Sequence, residues 1–301
     1  MPFKARTESN ELKTLRILNT RMELSAEEQK HYLNLEKGYE GEIQFDLLTE
    51  KLQCECLIIN DLLLEVNHTK FQIDSLIILQ EVIYVFEVKN FEGDYVYKPD
   101  SFYTNSGTEI RNPQDQLKRC KILFRQLLQY LGFSLQIEAF VVFVNPEFSL
   151  YESPKSSPFI FPTQLNRFMK KLNVQHSKLN ISHTKLAEKL VSLHITESLS
   201  SQIPAYQYDQ LKRKLTCKKC KGFSVFQCGK KIRCNDCGQE EEVTSAVLRS
   251  VEELRLLFPT KKITTNLVHE WCMVVESKKT IRRILKENLK THGQKTWTHY
   301  D

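Results

Sequence analysis

Two apolar runs, FQIDSLIIL (71–79) and VIYVFEVKN (82–90), are separated by only Gln80 and Glu81. Strand-forming residues this close together can only fold back on each other as an antiparallel hairpin. If Gln80 and Glu81 form the turn, Ile78 faces Ile83, Leu76 faces Val85, and Asp74 faces Glu87. Lys89, two residues on, shares that face because side chains alternate with period 2. Apolar residues occupy both faces near the turn, as in buried central strands, while Gln72, Asp74, Glu87 and Lys89 gather at the far end. Two carboxylates facing each other at a sheet end repel unless a cation joins them. The cation can be the Lys89 ammonium, or a divalent ion held by hard oxygen ligands, Mg²⁺ or Mn²⁺. An ion of that kind polarises a phosphoryl oxygen and acidifies bound water, with Lys89 placed to orient the water or to neutralise developing charge.

The rest of the chain supplies a frame for this hairpin. Ser25-Ala26-Glu27-Glu28 is a capped helix start, and Ile43, Leu47, Leu48 and Leu52 have helical spacing. Further strand-like runs are Cys56–Val66, Tyr95–Lys98 and the fully apolar Ala139–Val144, with a shorter one at Phe159–Phe161. Asn112 as cap and Pro113 in the first position open a helix whose buried stripe is Leu117, Cys120, Phe124, Leu127 and Leu131. Two more helices are expected at about 163–173 and 183–193. Helix, antiparallel strands, helix, strand, helix is the order of a mixed α/β domain.

Four elements in this order resemble the nuclease-related domain (NERD) family of the PD-(D/E)xK restriction-endonuclease-like superfamily. They are Gly38-Tyr39-Glu40-Gly41-Glu42; Gln72-Ile73-Asp74; Phe86-Glu87-Val88-Lys89-Asn90 followed by Gly93; and Asn112-Pro113-Gln114-Asp115-Gln116. The resemblance implies a restriction-endonuclease-like mixed sheet flanked by helices. It also implies Asp74 and Glu87 as Mg²⁺ or Mn²⁺ ligands, Lys89 as the catalytic lysine, and Glu42 and Gln116 as supporting active-site residues. Ile73 stands where many members of the superfamily have Pro, which removes no ligand. From the residues alone, Gln116 lies on the sheet-facing stripe near a helix N-terminus that can receive a phosphate. Glu42 shares a helix face with Asp46, leaving either of the two free to be solvated.

Beyond this domain, Cys217, Cys220, Cys234 and Cys237 form two CxxC pairs, each followed closely by a glycine. Four thiolates at that spacing suit a closed, tetrahedral, structural Zn²⁺ in a zinc ribbon with a hairpin between the knuckles. Cys228, in the loop, is an alternative ligand; Cys54, Cys56, Cys120 and Cys272 read as core thiols. The ribbon's lysines suit either phosphate contacts or solubility.

From Leu211 onward there are 20 Lys and Arg against 10 Asp and Glu, in a chain whose net charge is +6. The basic end therefore sits beside a slightly acidic body, and nucleic acid is the polyanion that such an end most often meets. Three helices are expected there, Ser245–Phe258, Thr264–Val275 and Lys278–Leu289, the last exposing Lys279, Arg282, Arg283 and Lys286. This end resembles a winged helix-turn-helix, with Gln294–His299 as a stub wing, which implies that those four residues contact DNA. A packing bundle with a basic outer face is the other reading.

The resulting organisation is a helical extension (1–33), the nuclease-like domain (34–200), the ribbon (201–243) and the basic helix-turn-helix-like region (244–301). The function expected is metal-dependent hydrolysis of DNA phosphodiester bonds; the rivals are a non-catalytic DNA-binding regulator and a protein-binding scaffold. A homodimer would suit cutting of both strands. No apolar run approaches the roughly 20 residues of a membrane span. MPFKARTESNELK lacks a secretory h-region, and CxxC pairs suit a reducing compartment, so a cytoplasmic protein with no membrane partner is expected.

Overall fold

A computed structural model describes residues 1–98, 101–196, 202–294 and 297–301. The chain divides into two units, Met1–Glu8 with Leu33–Ser200, and Ser9–Tyr32 with Ser201–Asp301. The expected extension 1–33 is thus shared between the units. The expected boundary at 200/201 lies outside the described residues.

Helix α1 (Asn10–Arg21) starts at Ser9, whose side chain accepts from the Leu12 amide. Helix α2 (Ala26–Thr49) starts at a reciprocal cap: the Ser25 amide donates to Glu28 Oε2 at 2.7 Å and the Glu28 amide to Ser25 Oγ at 3.3 Å. α2 counts with the second unit up to Tyr32 and with the first from Leu33. Its core residue is Phe45, while Leu47 is exposed, so the expected stripe is rotated: the helix docks through Gly41, Phe45 and Thr49.

In the first unit, strands β1 (Leu57–Val66), β2 (Thr69–Ile78) and β3 (Val82–Lys89) form an antiparallel meander. Strands β4 (Gly93–Lys98), β5 (Ser101–Thr104) and β6 (Glu109–Ile110) follow, then helix α3 (Pro113–Tyr130) and strands β7 (Gln136–Phe143), β8 (Phe148–Tyr151) and β9 (Phe159–Ile160). Helices α4 (Leu165–Asn173) and α5 (Ile181–Ser192) complete the unit. The main sheet has the order β1-β2-β3-β7-β9, with β3, β7 and β9 parallel. It is therefore mixed, as expected. A second sheet, β6-β5-β4-β8, adds Phe102 and Phe148 to the same core as α3 and α5. The core of the opposite face takes Phe45 from α2 and Leu165, Met169 and Leu172 from α4.

The second unit contains α1, strands β10 (Val225–Cys228), β11 (Lys231–Cys234) and β12 (Glu240–Glu242), and helices α6 (Val243–Leu257), α7 (Thr265–Cys272) and α8 (Lys278–Asn288). Strands β13 (Thr291–His292) and β14 (His299–Tyr300) pair as a hairpin where the stub wing is expected; Lys295 and Thr296 within it lie outside the described residues. α7 stops earlier than its apolar spacing suggests, because Met273 turns left-handed (φ 51°). A single core joins Leu18 of α1, Val251 and Leu254 of α6, Trp271 of α7 and Ile284 of α8. No helix among the described residues is long and apolar enough to cross a membrane.

Candidate functional site

The hairpin has the expected register: Ile78 pairs with Ile83 and Ser75 with Phe86, around a turn at Gln80-Glu81. One step further, the Val88 amide donates to Asp74 Oδ2 at 2.8 Å, so Asp74 sits beside the Glu87 end of β3. Asp74 and Glu87 are buried, at 6% and 3% exposure. Strict alternation fails at this point. On β2 the residues in the α3-side core switch from Phe71 and Ile73 to Leu76 and Ile78, and the strand changes face across Asp74-Ser75. On β1 the pairing skips Asp61, which is left-handed (φ 56°). The irregularity removes Gln72 from the cluster, leaving it exposed, contrary to the expected gathering of four polar residues.

Lys89 Nζ donates to Glu87 Oε1 at 2.6 Å and to Gln116 Oε1 at 3.3 Å. Gln116 reaches it from the first turn of α3, whose cap is the Asn112 side chain accepting from the Gln114 amide at 2.9 Å. Burial opposes the charge of Lys89, but Glu87 and Asp74 outweigh it and raise its pKa, so it remains an ammonium. Burial and the charge of Asp74 push Glu87 up to about 7 against the pull of Lys89 and Arg111. Burial likewise raises Asp74.

Glu42 comes from α2, across the sheet from α3. The helix approaches so closely that a Cβ on Gly41 would lie 2.5 Å from Asn90 Cβ and 3.2 Å from Val144 Cγ2. Only glycine fits there, which accounts for the second glycine of the Gly38–Gly41 motif. Burial and Asp74 push Glu42 up to about 8, against Arg6.

Arg6 is the site residue that sequence reasoning missed. The N-terminal segment runs along β1, with the Phe3 amide donating to the Ile58 carbonyl and the Asn60 amide to that of Lys4. Arg6 then enters the cluster with its side chain 2% exposed. Its guanidinium donates to Glu42 Oε2 at 2.7 Å, to Asp46 Oδ2 at 2.9 Å and Oδ1 at 3.0 Å, and to the Asp74 carbonyl at 2.7 Å. The bidentate fork on Asp46 is the geometry guanidinium offers and ammonium does not. Both Glu42 and Asp46 are thereby engaged, so neither is the freely solvated member of the pair. Nothing local in MPFKARTESN marks Arg6, because its partners lie 36 to 68 residues away.

Residues 37–144 match one family model, the nuclease-related domain. The match spans 108 of the 301 residues. No curated protein and no solved structure matches the chain. The matched span contains Glu42, Asp74, Glu87, Lys89 and Gln116; Arg6 lies outside it. The matched segment presents an all-oxygen donor set with two buried carboxylates, both raised in pKa by burial, Glu87 also by the charge of Asp74. Such a set fits a hard divalent cation such as Mg²⁺ or Mn²⁺ rather than a soft one.

In the second unit the four cysteine Sγ atoms lie within 4.8 Å of one another. Cys217 and Cys237, and Cys220 and Cys234, are 3.6 Å apart across the knuckles. Tetrahedral thiolates at a Zn–S distance of about 2.3 Å stand about 3.8 Å apart, whereas a disulfide needs about 2.05 Å. The cluster fits structural zinc with no open position. Among the described residues it is the one group of three or more metal-ligating side chains. Cys228 is outside it. Gly238 takes the left-handed turn after the second pair (φ 69°), but after the first pair Lys221 takes it (φ 60°). Gly222 serves a different need: a Cβ there would meet Asp236 Oδ2 at 2.8 Å.

The ribbon's charge is partly spent internally, with Lys231 on Glu240 at 2.7 Å. Lys279, Arg282, Arg283 and Lys286 are all exposed on α8, opposite buried Ile281, Ile284 and Leu285. Cys120 and Cys272 are buried, Cys54 and Cys56 half-buried.

Proposed function

We propose that the nuclease-related domain is a Mg²⁺- or Mn²⁺-dependent hydrolase of DNA phosphodiester bonds, brought to DNA by the zinc ribbon and the basic helices. The observation that carries this reading is the hydrogen-bonded run Glu87–Lys89–Gln116 beside buried Asp74 at the open end of the sheet. Asp74 and Glu87 would hold the ion. When bound, that ion supplies Lewis-acid polarisation of a phosphoryl oxygen and makes its water easier to deprotonate. Lys89, kept charged by its neighbours, is unsuited to be a general base. It instead donates a hydrogen bond to the negative charge that develops on the phosphate, or orients the attacking water. Gln116 holds the ammonium in direction, and Arg6 holds Glu42 and Asp46 so that their charges do not disperse the cluster. Exposed Lys279, Arg282, Arg283 and Lys286 would supply phosphate contacts of little sequence preference.

The test is cleavage of supercoiled plasmid and of single-stranded DNA with Mg²⁺ or Mn²⁺. Wild type is compared with Glu87→Ala and Lys89→Ala. Metal-dependent cutting is expected in wild type, and each variant is expected to lose about 10²–10³-fold, as when a charge-stabilising group is removed. Tight DNA binding with no cutting in any metal would replace this reading with that of a DNA-binding regulator.

A further inference from the structure

A cleft of about 520 Å³ opens beside Lys89 and Gln116 in the first unit. Its size is that of sites which bury a small organic ligand, the scale of a nucleotide rather than a double helix. Two kinds of group line it in addition to the site residues. Phe91 and Tyr95 form an aromatic wall, their ring centroids 5.2 Å apart and their planes 20° apart. Phe148, 5.4 Å from Tyr95, backs the pair from the core. Both rings are half-buried, so the wall is rigid yet open on the cleft side. Arg111 and Lys37 supply positive charge. Arg111 is exposed, without an ion-pair partner among the described residues. Lys37 pairs with Glu92 at 2.6 Å through side chains 40% and 60% exposed. Such an exposed pair holds weakly and can be exchanged for a phosphate.

An aromatic wall next to a cation is useful to a nucleobase whose face is free. In a duplex both faces of each base are stacked and only the edges are open, whereas a single strand presents its faces. We propose that this cleft binds a single-stranded DNA segment, one base against Phe91 and Tyr95 and the flanking phosphates on Arg111 and Lys37, so that the next phosphodiester meets Lys89. The inference rests on the nuclease reading above and names its substrate as single-stranded or frayed.

Two arms test it on the full chain. In the first, Glu87→Gln is irradiated with an iodouracil-substituted single strand of about 12 nucleotides, or with the same sequence as a duplex, and crosslinked peptides are mapped. Crosslinks to the 91–95 peptide with the single strand, and at least about fivefold fewer with the duplex, are expected. Crosslinks confined to the basic C-terminal helices, or equal yields from both DNAs at 91–95, would overturn the proposal. In the second arm, cleavage kinetics compare Tyr95→Ala, Tyr95→Phe and Arg111→Ala with wild type. Tyr95→Ala and Arg111→Ala should each raise KM for single-stranded DNA at least about fivefold, Tyr95→Ala with kcat within about twofold, and Tyr95→Phe should restore KM. Arg111 is exposed, so its variant remains informative if Tyr95→Ala fails to fold. Cutting by wild type with unchanged KM in all three variants overturns the cleft and leaves the nuclease reading standing. A single-strand crosslink at 91–95 without any cutting does the reverse.

Discussion

The carboxylate cluster of the first unit and the cysteine cluster of the second bring charged or ionisable ligands together in opposite ways. Cys217, Cys220, Cys234 and Cys237 come from one stretch of about twenty residues, and the hairpin between the pairs closes them on each other. Arg6, Glu42, Asp74, Glu87, Lys89 and Gln116 come from an N-terminal segment, a helix on one side of the sheet, two strands, and a helix on the other. The thiolates form a closed set whose task ends once a metal is held. The carboxylates stay mutually repelling, with Glu42 and Glu87 pushed to about 8 and about 7 by burial and by Asp74. The difference separates a site that stabilises its unit from one that its unit must stabilise.

The largest effect expected of this contrast is metal removal. Structural zinc contributes about 10–16 kcal/mol of apparent binding energy in small metal-dependent folds. A strong chelator, or Cys234→Ser, should therefore unfold the second unit. Both tryptophans lie in that unit, and buried Trp271 would report the loss as a red-shifted emission. Metal analysis should find one zinc per chain in wild type. An unchanged Trp271 spectrum after complete zinc removal would erase the contrast.

Arg6→Ala is the corresponding break in the first unit. It leaves half-buried Glu42 and buried Asp46 without their guanidinium, a loss of about 3–5 kcal/mol. Peptide-resolved hydrogen exchange should lose protection over residues 33–49 of α2 and over β2, with the second unit unaffected. Arg6→Lys should recover little, since ammonium cannot bridge the two oxygens of Asp46 while also meeting Glu42. Full rescue by lysine would reduce Arg6 to a mere positive charge.

A finer comparison uses one methyl group in each unit. Gly41→Ala forces a Cβ against Asn90 Cβ and Val144 Cγ2, atoms anchored in the sheet. It should cost about 1–3 kcal/mol and should displace Glu42 as well. Gly222→Ala meets the end of the exposed Asp236 side chain, which can swing aside, and touches Cys220 Sγ at 3.4 Å, an ordinary contact distance. It should be milder by urea titration. Equal costs would mean that α2 can shift away from Asn90 and Val144 at little cost.

The smallest effect belongs to the tail. Lys279→Ala combined with Arg283→Ala should weaken DNA binding about equally across sequences and lower the salt slope by about 1 for each phosphate contact removed. A change confined to one sequence would point to base contacts instead.

Much of the fold was legible because it is local. The two-residue turn set the β2–β3 register, and hence Asp74 beside Glu87. Asn112-Pro113 opened α3, and the pattern of Ile281, Ile284 and Leu285 identified the outer face of α8. Period and capping act within a few residues, so a sequence displays them directly. The short strands β5, β6 and β8 show no pattern of their own because pairing holds them, β5 and β8 on β4 and β6 on β5.

By itself, the sequence determined which residue types could meet at each site: four thiols at knuckle spacing, and carboxylates with a lysine at a hairpin's end. Only the tertiary structure decided that residues 1–33 would divide, with Arg6 buried among the carboxylates and Arg21 4.3 Å over the Trp271 ring. The change of face at Asp74 and the left-handed turn at Lys221 are of the same kind. An ion pair between residues 36 apart has no period and no cap to announce it. It exists because a buried charge must find its counter-charge wherever the fold brings one within reach.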